Sequence, residues 1–247
     1  MAAGEPTQMA TGRRAVRPGG SLATRPLHFI WLVDGSGSMA HDGKIQALNT
    51  AIREAVPPLR QVARDNPTAE VLVRAVRFAT GATWHVADPT PVDRFSWPDL
   101  TADGRTDLGS ALRLVAGVVR VPPMSDRALP PVLVLVSDGL PTDDYQRGLR
   151  ELRTEEWGDK AVRLAIAIGR DAARDVLEEF IGVPGGRVLE ANTADGLVDQ
   201  IRWASAVALQ SAVAPFSASQ GETQWAGRQV PMPEHTAPVD RTSDEVW

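Results

Sequence analysis

Apolar residues along the chain fall into two patterns. HFIWLV (28–33), PVLVLVSDG (131–139) and KAVRLAIAIG (160–169) are continuous apolar runs bounded by turns. Such runs mark strands buried on both faces. AEVLVRAVRFAT (69–80) reads as a further strand, and TWHVAD (83–88), just past a glycine, as its hairpin partner. His28, Trp31 and Trp84 fall within these strands.

Between them the period changes to that of helices. KIQALNTAIREAV (44–56) places Ile45, Leu48, Ile52 and Val56 on one face. Pro57 and Pro58 are predicted to end or restart that helix. DLGSALRLVAGVV (107–119) carries a stripe of Leu108, Ala111, Leu112, Val115, Val118 and Val119. TDDYQRGLRELRTEEW (142–157) reads as one helix with Tyr145, Leu149 and Leu152 inward. A helix over 172–181, a short strand at GRVLE (186–190) and a last helix from 195 to about 213 complete the pattern. Residues 89–104 form a Pro/Asp-rich loop.

The order is β, α, β, β, α, β, α, β, α, β, α. It predicts an α/β fold: a mostly parallel central sheet, one antiparallel edge strand from the hairpin, and helices on both faces. Residues 1–26 lack periodicity and read as a disordered N-terminal arm, and 27–213 as the folded domain. Residues 214–247 read as a flexible acidic tail, with Glu222, Glu234, Asp240, Asp244 and Glu245 against Arg228 and Arg241. Such a tail can offer a carboxylate to a metal site, its own or a neighbour's.

The formal net charge of −5 gives a nucleic-acid partner no global electrostatic support. The chain has no cysteine, which excludes disulfides, thiolate nucleophiles and Cys-ligated zinc. The first twenty residues contain no apolar core of the signal-peptide kind, and no apolar stretch approaches the ~20 residues that span a bilayer. The expectation is a cytoplasmic protein with no membrane partner. Of 26 basic residues only Lys44 and Lys160 are lysine, a bias to which the sequence attaches no function.

In a doubly wound sheet, ligands bind in the loops at the carboxyl ends of the strands. Three such loops carry oxygen ligands. In DGSGSM (34–39), Asp34, Ser36 and Ser38 alternate, so a locally extended backbone aims all three the same way. GRTDLGSAL (104–112) places Thr106 just before a helix, and SDGLPTDD (137–144) places Asp138 at a strand end. Two carboxylates and three hydroxyls suit a hard cation: Mg²⁺, with Mn²⁺ or Ca²⁺ as alternatives. Neutral hydroxyls leave much of the cation's charge unquenched, and a partner's Asp or Glu can complete its shell.

These three segments resemble the metal-ion-dependent adhesion site (MIDAS) of von Willebrand factor A (vWA) domains. DGSGSM matches the D-x-S-x-S pattern, GRTDLGSAL supplies the threonine and SDGLPTDD the aspartate. The resemblance covers roughly residues 27–210 and implies a Rossmann-like vWA fold that binds Mg²⁺ and grips protein partners through it. It implies Asp34, Ser36, Ser38, Thr106 and Asp138 as the metal set. The hydroxyls then ligate directly, and the two aspartates directly or through water. Asp107 reads either as an outer residue orienting water or as a helix-start aspartate. Asp143 and Asp144 read as helix caps, and His41 as a solvated loop residue. SDGLPTDDYQRGL and LAIAIGRDAARDVLEEF are further similar to bacterial TerY-type proteins of tellurite resistance and stress response. That implies a PP2C-type phosphatase and a Ser/Thr kinase as partners. The Cys-rich zinc segment of some relatives has no counterpart in this cysteine-free chain.

Enzyme readings fare poorly. GSMAHDGKI (37–45) is no P-loop: Gly37 and Gly43 are separated by five residues where the motif needs four, and Ile45 stands at the Ser/Thr position. Ser36 occupies the place where a phosphoaspartyl hydrolase carries a second aspartate. No G-x-S-x-G elbow or paired histidine base supports a serine nucleophile. The sequence therefore predicts a non-catalytic binding module. The alternative is a substrate-presenting or regulatory subunit of an AAA+ ATPase of the MoxR or chelatase type.

Overall fold

The computed structural model describes residues 24–170, 172–183 and 187–213. The predicted tail and nearly all of the predicted arm lie outside the described residues. The boundary placed after residue 26 falls inside the first strand, which begins at Arg25.

Among the described residues, six strands form one sheet: β1 (Arg25–Asp34), β2 (Ala69–Ala79), β3 (Gly81–Pro91), β4 (Val132–Ser137), β5 (Val162–Ile168) and β6 (Leu189–Ala191). Their spatial order is β3-β2-β1-β4-β5-β6. All neighbours pair in parallel except β2 and β3, which form the antiparallel hairpin at one edge. The predicted α/β fold class is thus observed. Every residue of β4 and β5 is buried, as unbroken apolar runs at the centre of a covered sheet should be.

Two layers of helix cover the sheet. Leu27, Phe29, Trp31 and Val33 of β1 point to one face, against α1 (Lys44–Asp65) and α6 (Ala194–Val213). Ile30 and Leu32 point to the other, against α2 (Leu108–Ala116), α3 (Tyr145–Thr154) and α5 (Arg174–Ile181). On that second side, helices α2 and α3 touch through glycines. A Cβ on Gly109 would lie 2.5 Å from the Asp144 carbonyl oxygen, and one on Gly148 2.5 Å from the Gly109 carbonyl oxygen.

Some predicted elements are corrected. Helix α1 runs straight through Pro57 and Pro58. Proline removes a donor to the carbonyl four residues back. Those carbonyls belong to Arg53 and Glu54, both exposed, so water can satisfy them. Leu59 and Val62 meanwhile continue the buried stripe and hold the helix on the sheet. The segment 142–157 is two helices. α3 starts only at Tyr145, and the short α4 (Glu156–Asp159) follows a break at Glu155. The last strand spans Leu189–Ala191, shorter and later than predicted.

His28 sits on β1, largely buried beside Arg74. Burial first and the Arg74 charge second lower its pKa from 6.5 to about 4. The unfolded chain therefore takes up a proton near 6.5 that the folded chain refuses until about 4. Stability is full above 6.5 and is lost as pH falls through that window, by about 3 kcal/mol at most. In urea unfolding at about pH 7 and about pH 4.5, His28→Gln should lose about 2 kcal/mol less than the wild type over that drop. Equal losses would show that His28 does not set the slope.

Candidate metal centre

The strand order reverses at β1. From there the chain builds outward to β2 and β3 on one side and to β4, β5 and β6 on the other. At such a switch point the loops leave in opposite directions and open a crevice at the carboxyl ends of the strands. Asp34 is the last residue of β1, and Asp138 follows the last residue of β4. Sheet topology alone thus places both aspartates at the crevice.

Asp34 is fully buried. One carboxylate oxygen accepts the Ser36 backbone N–H at 2.9 Å, the other the Ser137 hydroxyl at 2.5 Å. Burial pushes its pKa up; the Ser137 and Ser36 hydrogen bonds oppose that, and the Asp138 charge adds to it. Ser38 Oγ donates to Asp138 Oδ1 at 2.7 Å. A hydroxyl has one proton, so Ser36 Oγ is the donor in its 2.9 Å contact with Ser38 Oγ. Thr106 lies at the same place: a methyl added to Gly139 would be 3.8 Å from Thr106 Oγ1 and 3.9 Å from Ser38 Oγ. The crevice opens to solvent at Ser38, and two residues past Asp138 stands Leu140, 68% exposed and the most exposed large apolar residue among those described. His41 is an exposed loop residue.

All five sequence-predicted residues therefore converge. Among the described residues, no group of three or more His, Cys, Asp or Glu forms a metal cluster. What the crevice offers is hydroxyl-rich instead. The spacings of 2.9 Å and 2.7 Å along Ser36, Ser38 and Asp138 are hydrogen-bond lengths. They also match the ~2.9 Å edge of an octahedron whose oxygens lie about 2.1 Å from its centre. The donor set fits a small hard cation in its chemistry, and Ser36, Ser38 and Asp138 fit it in spacing.

The sequence missed several residues that build this crevice. Ser137 fastens Asp34 across from β4 to β1. Lys44 places its ammonium 2.9 Å from Asp138 Oδ2. Arg77 donates to the backbone carbonyls of Thr101, Gly35 and Asp103. It crosses so close to Gly35 that a Cβ there would stand 2.5 Å from Arg77 Nε. Gly37 N–H donates to the Gly104 carbonyl at 3.0 Å, which joins the first and second loops directly. Buried Asn49 of α1 holds the 92–107 segment through Trp97 Nε1, Leu100 N and the Leu100 carbonyl.

Thr142 joins the second loop to the third. Its hydroxyl accepts Thr106 N–H at 3.0 Å and donates to Asp107 Oδ1 at 2.6 Å. Asp107 also accepts Gly81 N–H at 2.7 Å and makes no side-chain cap on α2. The Thr142 bond first, then that of Gly81, lower its pKa. Asp107 does stand at the start of α2, as its helix-start reading has it, but its carboxylate brackets three loops instead of capping the helix. Asp144 caps α3 through Arg147 N–H, whereas Asp143 caps α2, through the N–H groups of Gly109 and Ser110.

No family model matches the sequence, and no curated relative does either. Solved structures do match the fold. One is a von Willebrand factor type A protein from Catenulispora acidiphila, 18% identical, TM-score 0.56, covering 75% of this chain and 43% of that one. A second is the ArnB paralog VWA2 from Sulfolobus acidocaldarius, 17% identical, TM-score 0.53, covering 74% of this chain and 46% of that one. A third is proximal thread matrix protein 1 from the mussel byssus with a zinc-occupied MIDAS motif, 17% identical, TM-score 0.57, covering 75% of this chain and 48% of that one. The chain thus has a vWA-like α/β fold and spans less than half the length of these neighbours.

Thr142→Val keeps the shape of the side chain and removes both hydrogen bonds. The substitution should cost about 1–3 kcal/mol in chemical denaturation, because Thr106 N–H and Asp107 each lose a partner. A cost within about 0.3 kcal/mol of zero would show that the second and third loops are not held together by this hydroxyl.

Proposed function

We propose that the chain is a metal-dependent protein-binding module in which Asp34, Ser36, Ser38, Thr106 and Asp138 hold a divalent cation that captures an acidic side chain of a partner. The observation that carries this reading is the convergence of three hydroxyls and Asp138 at a solvent-open switch-point crevice. The zinc-occupied MIDAS motif of the mussel byssus protein supports a divalent cation in this fold. Magnesium is the reading favoured for this chain, because every donor is oxygen and the spacing is that of a small ion.

The cation would supply a Lewis-acidic position for a carboxylate. The chain's own groups do the rest. Ser36, Ser38 and Thr106 ligate without neutralising charge, Asp34 and Asp138 anchor it directly or through water, and Leu140 gives a docking protein an apolar contact at the rim. The crevice holds no histidine or other free base to activate a water, so we read the module as non-catalytic. No helix among the described residues is long and apolar enough to cross a membrane. The TerY-like segments motivate the setting: a cytoplasmic stress-response or phosphorylation-signalling assembly with a PP2C-type phosphatase and a Ser/Thr kinase.

Ser38 is exposed, unlike the fully buried Asp34, so Ser38→Ala tests the site without disturbing the core. Titration of Mn²⁺ should show one bound ion on the wild type and at least about tenfold weaker binding to the variant, the scale of one lost ligand. Pull-downs should retain partners in Mg²⁺ and lose them in EDTA or on Ser38→Ala. Retention under all three conditions would end the adhesion reading, and Mg²⁺-dependent capture of an AAA+ ATPase would move it to the alternative setting.

A further inference from the structure

Lys44 is placed against local physical preference. It is the first residue of α1, where the helix macrodipole disfavours a cation. No acidic residue stands in that first turn, and the preceding Gly43 provides no side-chain cap. The ammonium instead reaches Asp138 Oδ2 at 2.9 Å, in a pair whose side chains are 16% and 1% exposed. Of 26 basic residues this is one of only two lysines, so an ammonium is used here in a chain that otherwise relies on arginine. An ammonium is a compact point charge, without the fork that would claim both oxygens of Asp138. Asp138 Oδ1 is thus left to Ser38 and the crevice, while Oδ2 is held from behind.

The charge count gives this contact a consequence. Asp34 and Asp138 carry two negative charges, and Lys44 returns one positive. A divalent cation then makes the loaded crevice singly positive, and one carboxylate from a partner brings it to neutrality. Without Lys44 the loaded crevice would already be neutral, and a partner's carboxylate would leave it negative. We propose that Lys44 sets the balance of the site: its charge weakens cation binding and strengthens the loaded site's grip on a carboxylate ligand. This rests on the metal-dependent reading proposed above. It adds a determinant of that site outside the five proposed ligands, and it assigns the two binding steps effects of opposite sign.

The test compares wild type, Lys44→Gln and Lys44→Arg. Mn²⁺ is titrated by electron paramagnetic resonance. Acetate is then titrated against the Mn²⁺-loaded protein, read by the loss of water-proton relaxation enhancement. Even at the dielectric of water, removing a unit charge near the ion should tighten Mn²⁺ binding by about tenfold and weaken acetate by about threefold. Lys44→Arg keeps the charge but brings a fork able to reach Asp138 Oδ1, so it should show none of the Mn²⁺ tightening of Lys44→Gln, which separates charge from geometry. Both constants unchanged in Lys44→Gln, or both weakened, would overturn the inference while leaving the metal site standing, the second result marking Lys44 as a structural brace only. A wild type that binds no Mn²⁺ would overturn the metal reading and this inference with it.

Discussion

A carboxylate buried at the end of a parallel strand is destabilising unless it is hydrogen-bonded and opposed by positive charge. Asp34 is such a group, with no exposed surface. Its answer is local. Ser36 N–H satisfies one oxygen from the next loop, and Ser137 Oγ satisfies the other from the neighbouring strand. The bonds that stabilise the buried charge also tie the carboxyl ends of β1 and β4 together, the two strands that flank the topological switch point. The DGSGS loop is consequently held in one conformation, and Ser36 and Ser38 face the third loop. Desolvation still raises the Asp34 pKa despite these bonds.

Around that anchor the loops are fastened to each other as well as to the sheet. Arg77 binds carbonyls of the first and second loops, and Gly37 and Gly104 join them directly. Thr142 and Asp107 join the second to the third and to the β2–β3 turn. Asp143 fixes the third loop to the start of α2. Loops normally carry variation and mobility. These carry the oxygens proposed as a ligand set, whose positions a site must hold to about 0.5 Å, and the cross-bracing supports that precision.

Much of this architecture was legible because it is periodic. The unbroken apolar runs at 28–33, 131–139 and 160–169 announced central parallel strands, and D-x-S-x-S announced the oxygen donors, but the backbone is not extended through Ser38: it turns into a 3₁₀ helix over Gly37–Ala40. The prolines of α1 misled, because the penalty of proline is local, whereas the stripe that includes Leu59 and Val62 is held by tertiary packing. Lys44 was read as compositional bias and Thr142 passed unnoticed, because their partners lie 94 and 35 residues away, at Asp138 and Asp107. The signals were faint but physical: a lysine opening an uncapped helix in an arginine-rich chain, and a threonine among turn residues. Asp107 was framed as an outer metal residue or a helix start. It does open α2, and its added role as a bracket needed the position of Gly81, which no sequence spacing gives.

The structural neighbours share the fold at 17–18% identity, and that likeness extends to the fold alone. Fold supplies a place, and side chains decide what happens there. In this chain the place is filled by oxygen donors that are mostly neutral, by two carboxylates, and by one ammonium behind the second of them. With the proposed divalent cation bound, the two carboxylates would balance its charge and the ammonium would leave the crevice singly positive. With that charge, a crevice open at Ser38 and followed in sequence by exposed Leu140 would favour a ligand that is anionic at one point and apolar beside it. A protein surface offers both together where a small inorganic anion offers only the first.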